Sequence, residues 1–341
     1  FSWLPAISAC CIVTAGEGKA LMSQNGISRA LISPGMQTDR PKFAAFLVVG
    51  GVFLLSGQDA LIKVISSELS LWQFQFFRGA LNMTLLALGV RVFLGRWIPP
   101  PRRLWVVSLR SLLMVGAMIC FFSGVPYLSL AEMSAGLYVF PLFVVTLSCL
   151  VLGERVGPRR ISAVILGFSG TVLVLQPGTD IFTPIAFLPV GAGFFYACTL
   201  LTTRKLCRDE SPVTLTFGVA LAVFIMGTVG LFLMTKFDVE GSTSDWPFLL
   251  TGWRPLDLWV FGVVVFCSVL NLITTSSLAK AYQSAESSWL VPFDYSYMVF
   301  AALWGFIIWR HIPDLLTFCG IFLIAASGIF IAWRQREEKN S

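Results

Sequence analysis

Residues 131–160 read AEMSAGLYVFPLFVVTLSCLVLGERVGPRR, an apolar run over 131–152 followed at once by a short basic hairpin. The hydrocarbon core of a bilayer is about 30 Å thick, and a helix of roughly 20 apolar residues is needed to cross it. The run has that length, and basic residues such as Arg155, Arg159 and Arg160 collect on the cytoplasmic side of membranes. The stretch therefore predicts a membrane-spanning helix that ends in a cytoplasmic hairpin.

The composition of the whole chain agrees with this interpretation. Of the 341 residues, 56% are hydrophobic and 12% are charged, whereas soluble domains carry about 25% charged residues. These values exclude a disordered chain, a nucleic-acid-binding domain and a secreted disulfide scaffold. The net charge of +6 is not the sign of a nucleic-acid partner, because Lys and Arg of membrane proteins concentrate in cytoplasmic loops.

Ten apolar runs follow one another from residue 43 onward, separated by short breaks rich in Gly, Pro and charge. Both termini are predicted to be cytoplasmic, because this arrangement places 16 Lys and Arg residues inside and 4 outside. We therefore expect a multi-pass protein of the inner (plasma) membrane. The predicted spans are 43–65, 72–94, 104–126, 131–152, 160–176, 182–203, 212–235, 256–279, 286–309 and 314–333.

The two ends of the chain lie outside this plan. Residues 1–39 contain an apolar stretch at 4–13 that is too short to span and lacks the basic start of a signal peptide. We predict a disordered N-terminal tail or a misassigned start, with Met36 as the true first residue. Residues 336–341 are predicted to form a cytoplasmic tail.

An internal repeat is visible in the fifth and tenth spans. The sequence SGTVL at 169–173 corresponds to SGIFI at 327–331, an offset of 158 residues. Because a unit of five helices is odd, the second copy would enter the membrane inverted, as in many secondary transporters. A chance similarity of small residues is the alternative. The repeat predicts two inverted halves, at 43–178 and 182–335.

Several short motifs resemble the EamA repeat of the drug/metabolite transporter superfamily over about residues 42–335. They are FFRG at 76–79, YLSLAE at 127–132, FPL at 140–142, LGERVGPRR at 152–160, GFSG at 167–170, QPG at 176–178, VPFDY at 291–295 and IPD at 312–314. Together they are similar to the branch that includes S-adenosylmethionine and riboflavin uptake carriers. The resemblance implies an all-α integral membrane protein of ten transmembrane helices in two inverted five-helix EamA repeats, with a central cavity. Arg310 and His311 stand where the second repeat of this branch usually carries Gly-Glu.

The chain has few residues that could perform other chemistry. His311 is the single histidine, which argues against a zinc site built on histidines and against a Ser-His-Asp triad. A Walker A loop is also missing from the sequence, so ATP-driven transport by this chain alone is unsupported. We therefore predict no metal, no cofactor and no enzymatic activity.

Six ionisable residues lie within or at the ends of the predicted spans: Asp59, Lys63, Arg78, Arg110, Glu132 and Asp294. A charge at a helix centre costs at least about 2.5–3.5 kcal/mol, so such residues mark substrate or proton pathways. Mutual neutralisation is the structural alternative. Asp59 and Lys63 share a helix face as an i,i+4 pair, which leaves Arg78 and Glu132 as predicted partners in the outer half of the bundle.

Asp294 is the strongest candidate for a substrate or proton role. It lies about 12 Å from the inner surface by helical rise, close to the midplane, and Pro292 breaks the preceding turn. Broken helices at the midplane form the sites of inverted-repeat carriers. Trp289 and Tyr295 flank it. The alternative is that Asp294 caps the freed backbone or pairs with Arg110.

The other polar residues of the spans complete the candidate set. Cavity lining or interhelical hydrogen bonds are expected of Gln58, Gln75, Asn82, Tyr138 and Asn271. Structural or gating roles are expected of Lys63, Arg110, Pro141, Glu154 and Pro292.

These observations predict a secondary active transporter that moves a small polar organic metabolite across the inner membrane by alternating access. A cofactor-like molecule such as S-adenosylmethionine or riboflavin is the leading substrate. Export of amino acids or related metabolites is the alternative, and a membrane-embedded enzyme or a non-transporting receptor are rivals from other classes. The expected partners are the substrate and the lipid bilayer, with no nucleic acid; proton coupling and a homodimer are left open.

Overall fold

The computed structural model describes residues 41–95, 97–152, 158–176, 183–207, 209–237, 247–284, 290 and 293–340. These residues form helices and connecting turns, with no β-strand among them. The N-terminal tail predicted at 1–39, Glu154, Trp289 and Pro292 lie outside the described residues. The helices are α1 (Pro41–Ile65), α2 (Leu71–Leu94), α3 (Leu104–Gly124), α4 (Leu130–Leu137), α5 (Phe140–Leu152), α6 (Pro158–Leu175), α7 (Phe187–Leu206), α8 (Pro212–Phe237), α9 (Pro247–Leu250), α10 (Leu258–Ser284), α11 (Ser296–Trp309) and α12 (Leu315–Asn340).

Within this part of the chain, six helical segments are long and apolar enough to cross a membrane. They are Lys42–Ile65, Leu104–Gly124, Leu130–Leu150, Pro184–Leu206, Pro212–Lys236 and Leu258–Leu278. Three shorter apolar helices lie at Ile161–Leu175, Ser296–Trp309 and Leu315–Phe330. The prediction of an all-helical, multi-pass membrane protein is confirmed at this level.

The fourth predicted span is two helices rather than one. The Tyr138 N–H bonds to the Ser134 carbonyl, which closes α4, and α5 starts at Phe140. Pro141 lies in the first turn of α5, where its missing N–H costs least, because the first N–H groups of a helix have no partner within it. Pro141 therefore lies directly after a helix break at Tyr138.

The helices associate mainly in antiparallel pairs. The most extensive contacts join α6 with α12, α2 with α8, α1 with α10 and α3 with α7. In each pair an early residue of one helix meets a late residue of the other. In α6 and α12, Gly167 faces Ser327 and Val174 faces Gly320; in α2 and α8, Trp72 faces Gly230 and Gly79 faces Phe224. In α1 and α10, Gly51 faces Leu278 and Gln58 faces Cys267; in α3 and α7, Arg110 faces Thr203 and Gly124 faces Pro189.

Glycines allow two of these pairs to approach closely. A Cβ on Gly79 would lie 2.6 Å from the backbone nitrogen of Phe224, and one on Gly227 would overlap the backbone of Phe76. The helices α6 and α12 also approach closely, since a Cβ on Gly170 would lie 2.9 Å from the Gly320 carbonyl oxygen. Small residues that let backbones touch are the usual means of helix association in membranes.

The interior and the surface have the polarity expected in a bilayer. Large apolar side chains such as Leu142, Phe74 and Met298 are fully buried between helices. Others remain exposed on the outer faces of the helices, for example Leu258 at 82% and Leu112 at 62%. Such an apolar exterior fits lipid rather than water.

The hairpin between α11 and α12 places Arg310 in a backbone conformation that is usually adopted by glycine. This residue follows the last turn of α11 in the left-handed region at φ 55°, and its N–H bonds to the Gly305 and Phe306 carbonyls. Glycine is the residue that usually occupies such a position. Four residues later, Asp314 caps α12, and hydrogen bonds from Thr317 and Gln176 lower the pKa of its carboxyl.

Candidate substrate site

A buried carboxylate of α1 is tied to α11. The hydroxyl of Tyr297 donates a hydrogen bond of 2.6 Å to Oδ2 of Asp59, and both side chains are buried. Arg78 of α2 lies within electrostatic range of the same carboxylate. Asp59 is therefore held by a neutral donor, with a cation nearby that does not form an ion pair with it among the described contacts.

Arg78 is buried between two aromatic rings. Its guanidinium carbon lies 5.6 Å from the Phe74 ring centre and 5.1 Å from that of Phe122, a distance at which cation–π attraction operates. Nη2 donates to Oδ1 of Asn271 on α10 at 3.3 Å. Nη1 is buried and has no hydrogen-bond partner among the described residues.

Several other polar atoms on α1, α2, α10 and α11 are also buried without a partner in the described part of the chain. Gln75 and Asn82 lie three residues before and four residues after Arg78, so the three residues share one face of α2. The atoms are Gln58 Oε1 on α1, Gln75 Oε1 and Asn82 Oδ1 on α2, Thr274 Oγ1 on α10 and Trp304 Nε1 on α11. Leaving such an atom unsatisfied costs about 1–3 kcal/mol. Such a group of atoms can be completed by bound water, an ion or a polar ligand.

Direct contacts join the helices that carry these buried polar residues. The Cys267 thiol of α10 lies 4.0 Å from the Gln58 carbonyl oxygen of α1, and the Trp304 ring of α11 packs against Gly57. Arg78 and Asn271 connect α2 with α10, as described above. We call Gln58, Asp59, Gln75, Arg78, Asn82, Asn271, Thr274, Tyr297 and Trp304 the central polar site.

Tyrosines extend this site toward α4 and α7. The ring of Tyr138 stacks on Tyr297 at 5.2 Å with 16° between the planes, and it contacts Tyr295 at 5.5 Å. Phe140 continues the series from Tyr138 to Tyr196. The Tyr295 hydroxyl is buried without a partner among the described residues.

Asp294 and Arg110 both lie close to Tyr196. Each is within electrostatic range of its hydroxyl. Arg110 donates through Nε to the Thr203 hydroxyl at 2.7 Å and through Nη1 to the Leu215 carbonyl at 3.3 Å. Arg110 thus joins α3, α7 and α8.

The pairing predicted for the outer charges is wrong. Glu132 forms a capping box with Ser129 at the start of α4, accepting from the Ser129 N–H at 2.7 Å, and it is not the partner of Arg78. Lys63 donates to the Val125 and Leu128 carbonyls at 2.6 Å each rather than to Asp59. Backbone groups of the turn after α3 compete for both residues, carbonyl acceptors for Lys63 and the Ser129 N–H donor for Glu132. Helical spacing alone does not reveal these local partners.

Tyr297, Trp304 and Thr274 were missed by the sequence reasoning. Thr274 lies three residues after Asn271, and Trp304 lies seven residues after Tyr297, so each shares a helix face with another member of the site. This periodicity was the available signal. The abundance of aromatic residues, including 30 Phe and 11 Trp, hides it.

The antiparallel bundle, its membrane-length apolar helices and its buried polar side chains define a multi-pass helical membrane protein. The model of the EamA-like transporter family matches residues 42–176 and again residues 183–333. The chain belongs to this family.

Three curated relatives show the range of the similarity. A riboflavin transporter of Vibrio cholerae is 31% identical over 204 residues, which are 59% of this chain and 63% of that protein. A pseudopaline exporter of Pseudomonas aeruginosa is 25% identical over 87% of this chain and 98% of the exporter. An S-adenosylmethionine uptake transporter of Rickettsia bellii is 22% identical over 84% of this chain and 94% of the relative.

Proposed function

We propose that this protein is a secondary active transporter that moves a small polar organic metabolite across the inner membrane by alternating access. The observation that carries the proposal is the central polar site. Buried donors and acceptors from α1, α2, α10 and α11 are left without partners there, among described residues that also bury Asp59 and Arg78. A stable, inert core would not retain this many unsatisfied atoms.

The proposed architecture is ten membrane-spanning helices in two inverted repeats of five. In this scheme α4 and α5 together are the fourth span, and α7, α8, α10, α11 and α12 are the sixth to tenth. Exchanging the two repeats turns the α1–α10 pair into α7–α3 and returns the α2–α8 and α6–α12 pairs to themselves. All four are the most extensive pairs of the bundle. The two separate family matches, at 42–176 and 183–333, also divide the chain between the two proposed repeats.

Alternating access is supported by the contribution of both proposed repeats to the central polar site. Asp59, Gln58 and Arg78 belong to the first repeat, whereas Asn271 and Tyr297 belong to the second. Rocking of one repeat against the other would therefore open and close the same site on alternate sides of the membrane. The charge distribution favours cytoplasmic termini.

The chemistry of the site favours a flat, polar, uncharged or acidic molecule. Amide oxygens of Gln58 and Gln75 can accept, while Arg78 Nη1 and Trp304 Nε1 can donate. Aromatic rings around Arg78 and Tyr138 provide flat surfaces. A ring system with alternating N–H and C=O groups, as in riboflavin, suits this combination, and riboflavin-like uptake is our leading proposal.

Export of a metabolite is the second candidate. It is supported by the alignment with the pseudopaline exporter, which extends over 87% of this chain, whereas the alignment with the riboflavin transporter extends over 59%. The relatives are named as transporters, which supports a role other than catalysis.

Flux through the purified protein tests the proposal. We expect proteoliposomes that contain the full chain to exchange internal unlabelled riboflavin for external labelled riboflavin. Arg78→Gln should abolish exchange because the buried donor is lost, while Leu112→Val on the lipid-exposed face of α3 should leave exchange unchanged. S-adenosylmethionine and an amino-acid mixture are run in parallel. Absence of exchange with all three, in a folded preparation, would contradict transport of this substrate class.

A further inference from the structure

A recess lies at the end of the bundle where α1 ends. It is a cleft of about 610 Å³, lined by side chains from the end of α1, the segment after α9 and the end of α11. Lys63 and Arg254 supply two positive charges, and Trp309 supplies a flat ring. Acidic side chains are missing from the described residues that line this outer cleft.

Lys63 is held in a fixed position in the cleft. Its ammonium group donates to the Val125 and Leu128 carbonyls at 2.6 Å each and lies 5.5 Å from the Trp309 ring centre. An ammonium group has three N–H donors, so one remains without a partner in the described part of the chain. Glu132 is within electrostatic range of Lys63, but it accepts from the Ser129 N–H and does not line the cleft.

Arg254 is fixed by the ends of α1 and α2. Nη1 donates to the Ser67 carbonyl at 2.7 Å, and Nη2 donates to the Thr251 hydroxyl at 3.2 Å. The buried amide of Gln73 donates through Nε2 to the Arg254 carbonyl at 3.0 Å and accepts at Oε1 from the Arg254 N–H at 3.2 Å. The two cations are therefore built into the fold rather than carried on flexible surface side chains.

The cleft continues the faces of the helices that form the central polar site. Lys63 lies one helical turn beyond Asp59 on α1, and Ile308 of the cleft lies one turn beyond Trp304 on α11. One turn corresponds to about 5.4 Å along the helix axis. Two cleft residues therefore lie one helical turn from members of the central polar site, on the same faces of α1 and α11.

We propose that the outer cleft is a vestibule that binds a soluble organic anion carrying a flat ring, with the anionic group at Lys63 and Arg254 and the ring against Trp309. This inference rests on the proposed transport function, because the vestibule delivers its ligand to the site below. It adds that, among riboflavin-like molecules, one that carries an acidic group such as a carboxylate or a phosphate is captured better than riboflavin itself. Charged clefts of one sign concentrate ligands of the opposite sign and accelerate their capture.

Equilibrium dialysis of the full chain in phosphatidylcholine nanodiscs tests the vestibule with two probes. Pyridoxine phosphate has a flat ring and a phosphate, and pyridoxine has the same ring without it. We expect pyridoxine phosphate to bind at least about tenfold more tightly, which corresponds to about 1.4 kcal/mol. The difference should shrink as ionic strength rises. Arg254→Gln and Lys63→Gln should remove it, whereas Arg254→Lys should retain part of it.

Control variants distinguish binding in the cleft from general attraction of an anion to a basic protein. Lys236→Gln removes an exposed cation that does not line the cleft and should change nothing. Thermal unfolding of each variant shows whether it is folded, and Trp309→Leu provides a variant that leaves both cations in place. Equal binding of the two probes, or binding that survives in both Gln variants, overturns the proposal.

Lipid composition distinguishes a soluble anion from a lipid headgroup as the occupant of the cleft. Loss of probe binding when phosphatidylglycerol is added to the nanodiscs overturns the proposal, since the cleft would then hold a lipid headgroup. Binding that persists with phosphatidylglycerol supports it. Neither the probe comparison nor the lipid comparison depends on the riboflavin exchange assay, so the vestibule and the proposed substrate can fail separately.

Discussion

The hydroxyl of Tyr297 donates a 2.6 Å hydrogen bond to the carboxylate of Asp59 across 238 residues of sequence. The bond joins α1 to α11 inside the bundle, next to Arg78 and the unsatisfied amides of the central polar site. In the proposed architecture it connects the two repeats. Any motion that opens the site between the repeats must therefore lengthen or break this bond.

Removal of this hydroxyl should destabilise the protein. We expect Tyr297→Phe to lower the free energy of unfolding by about 1.5–3 kcal/mol, the usual value of a hydrogen bond to a charged group. Tyr295→Phe is the matched control, since its hydroxyl is buried without a partner among the described residues and its loss should cost nothing. Thermal unfolding in detergent measures both. Equal effects of the two substitutions would contradict the importance of the Asp59 bond.

The close approach of α2 and α8 should depend on Gly79. A Cβ at this position would lie 2.6 Å from the Phe224 backbone, so Gly79→Ala should push the helices apart and lower the unfolding temperature and the yield of folded protein. Gly89→Ala on the same helix meets nothing within 4 Å and should be neutral or stabilising by about 0.5–1 kcal/mol, because alanine favours helix. Similar loss in both variants would show that steric overlap at Gly79 is not the cause.

A substitution at Asp294 should show whether this residue takes part in proton coupling or in substrate binding. Asp294→Asn keeps the shape of the side chain but cannot bind or release a proton. We expect gradient-driven uptake into proteoliposomes to be largely abolished, while substrate counterflow, which needs no net proton movement, partly survives. If both activities fall together, Asp294 contacts the substrate. Normal transport in both assays would make Asp294 a structural residue and direct the search to Asp59.

The proposed orientation can be tested with single cysteines in a background from which the eight native cysteines have been removed. Lys205→Cys and Trp253→Cys place thiols at exposed positions on opposite predicted sides of the membrane. In intact cells an impermeant thiol reagent should label position 253 and spare position 205, and permeabilisation should make both reactive. The reverse pattern would invert the topology, and with it the assignment of the cleft to the outer side.

The sequence alone was sufficient for the class of protein and the places of the helices. Apolar runs of span length need internally hydrogen-bonded backbone in lipid, so length and hydrophobicity decide where a helix forms. A helix lies in the described part of each of the ten predicted spans, and the family assignment agrees with motifs at 140–142 and 312–314.

Only the tertiary structure decided which polar residues meet. Arg78 binds Asn271, 193 residues away, and Asp59 binds Tyr297, whereas sequence reasoning paired Arg78 with Glu132 and Asp59 with Lys63. Spacing along one helix states which residues share a face, but the partner across the interface depends on the rotation and axial position of a second helix. Those are set by backbone contacts such as Gly79 against Phe224, which periodicity does not encode. The chain thus specifies its helices locally and its central polar site only through their packing.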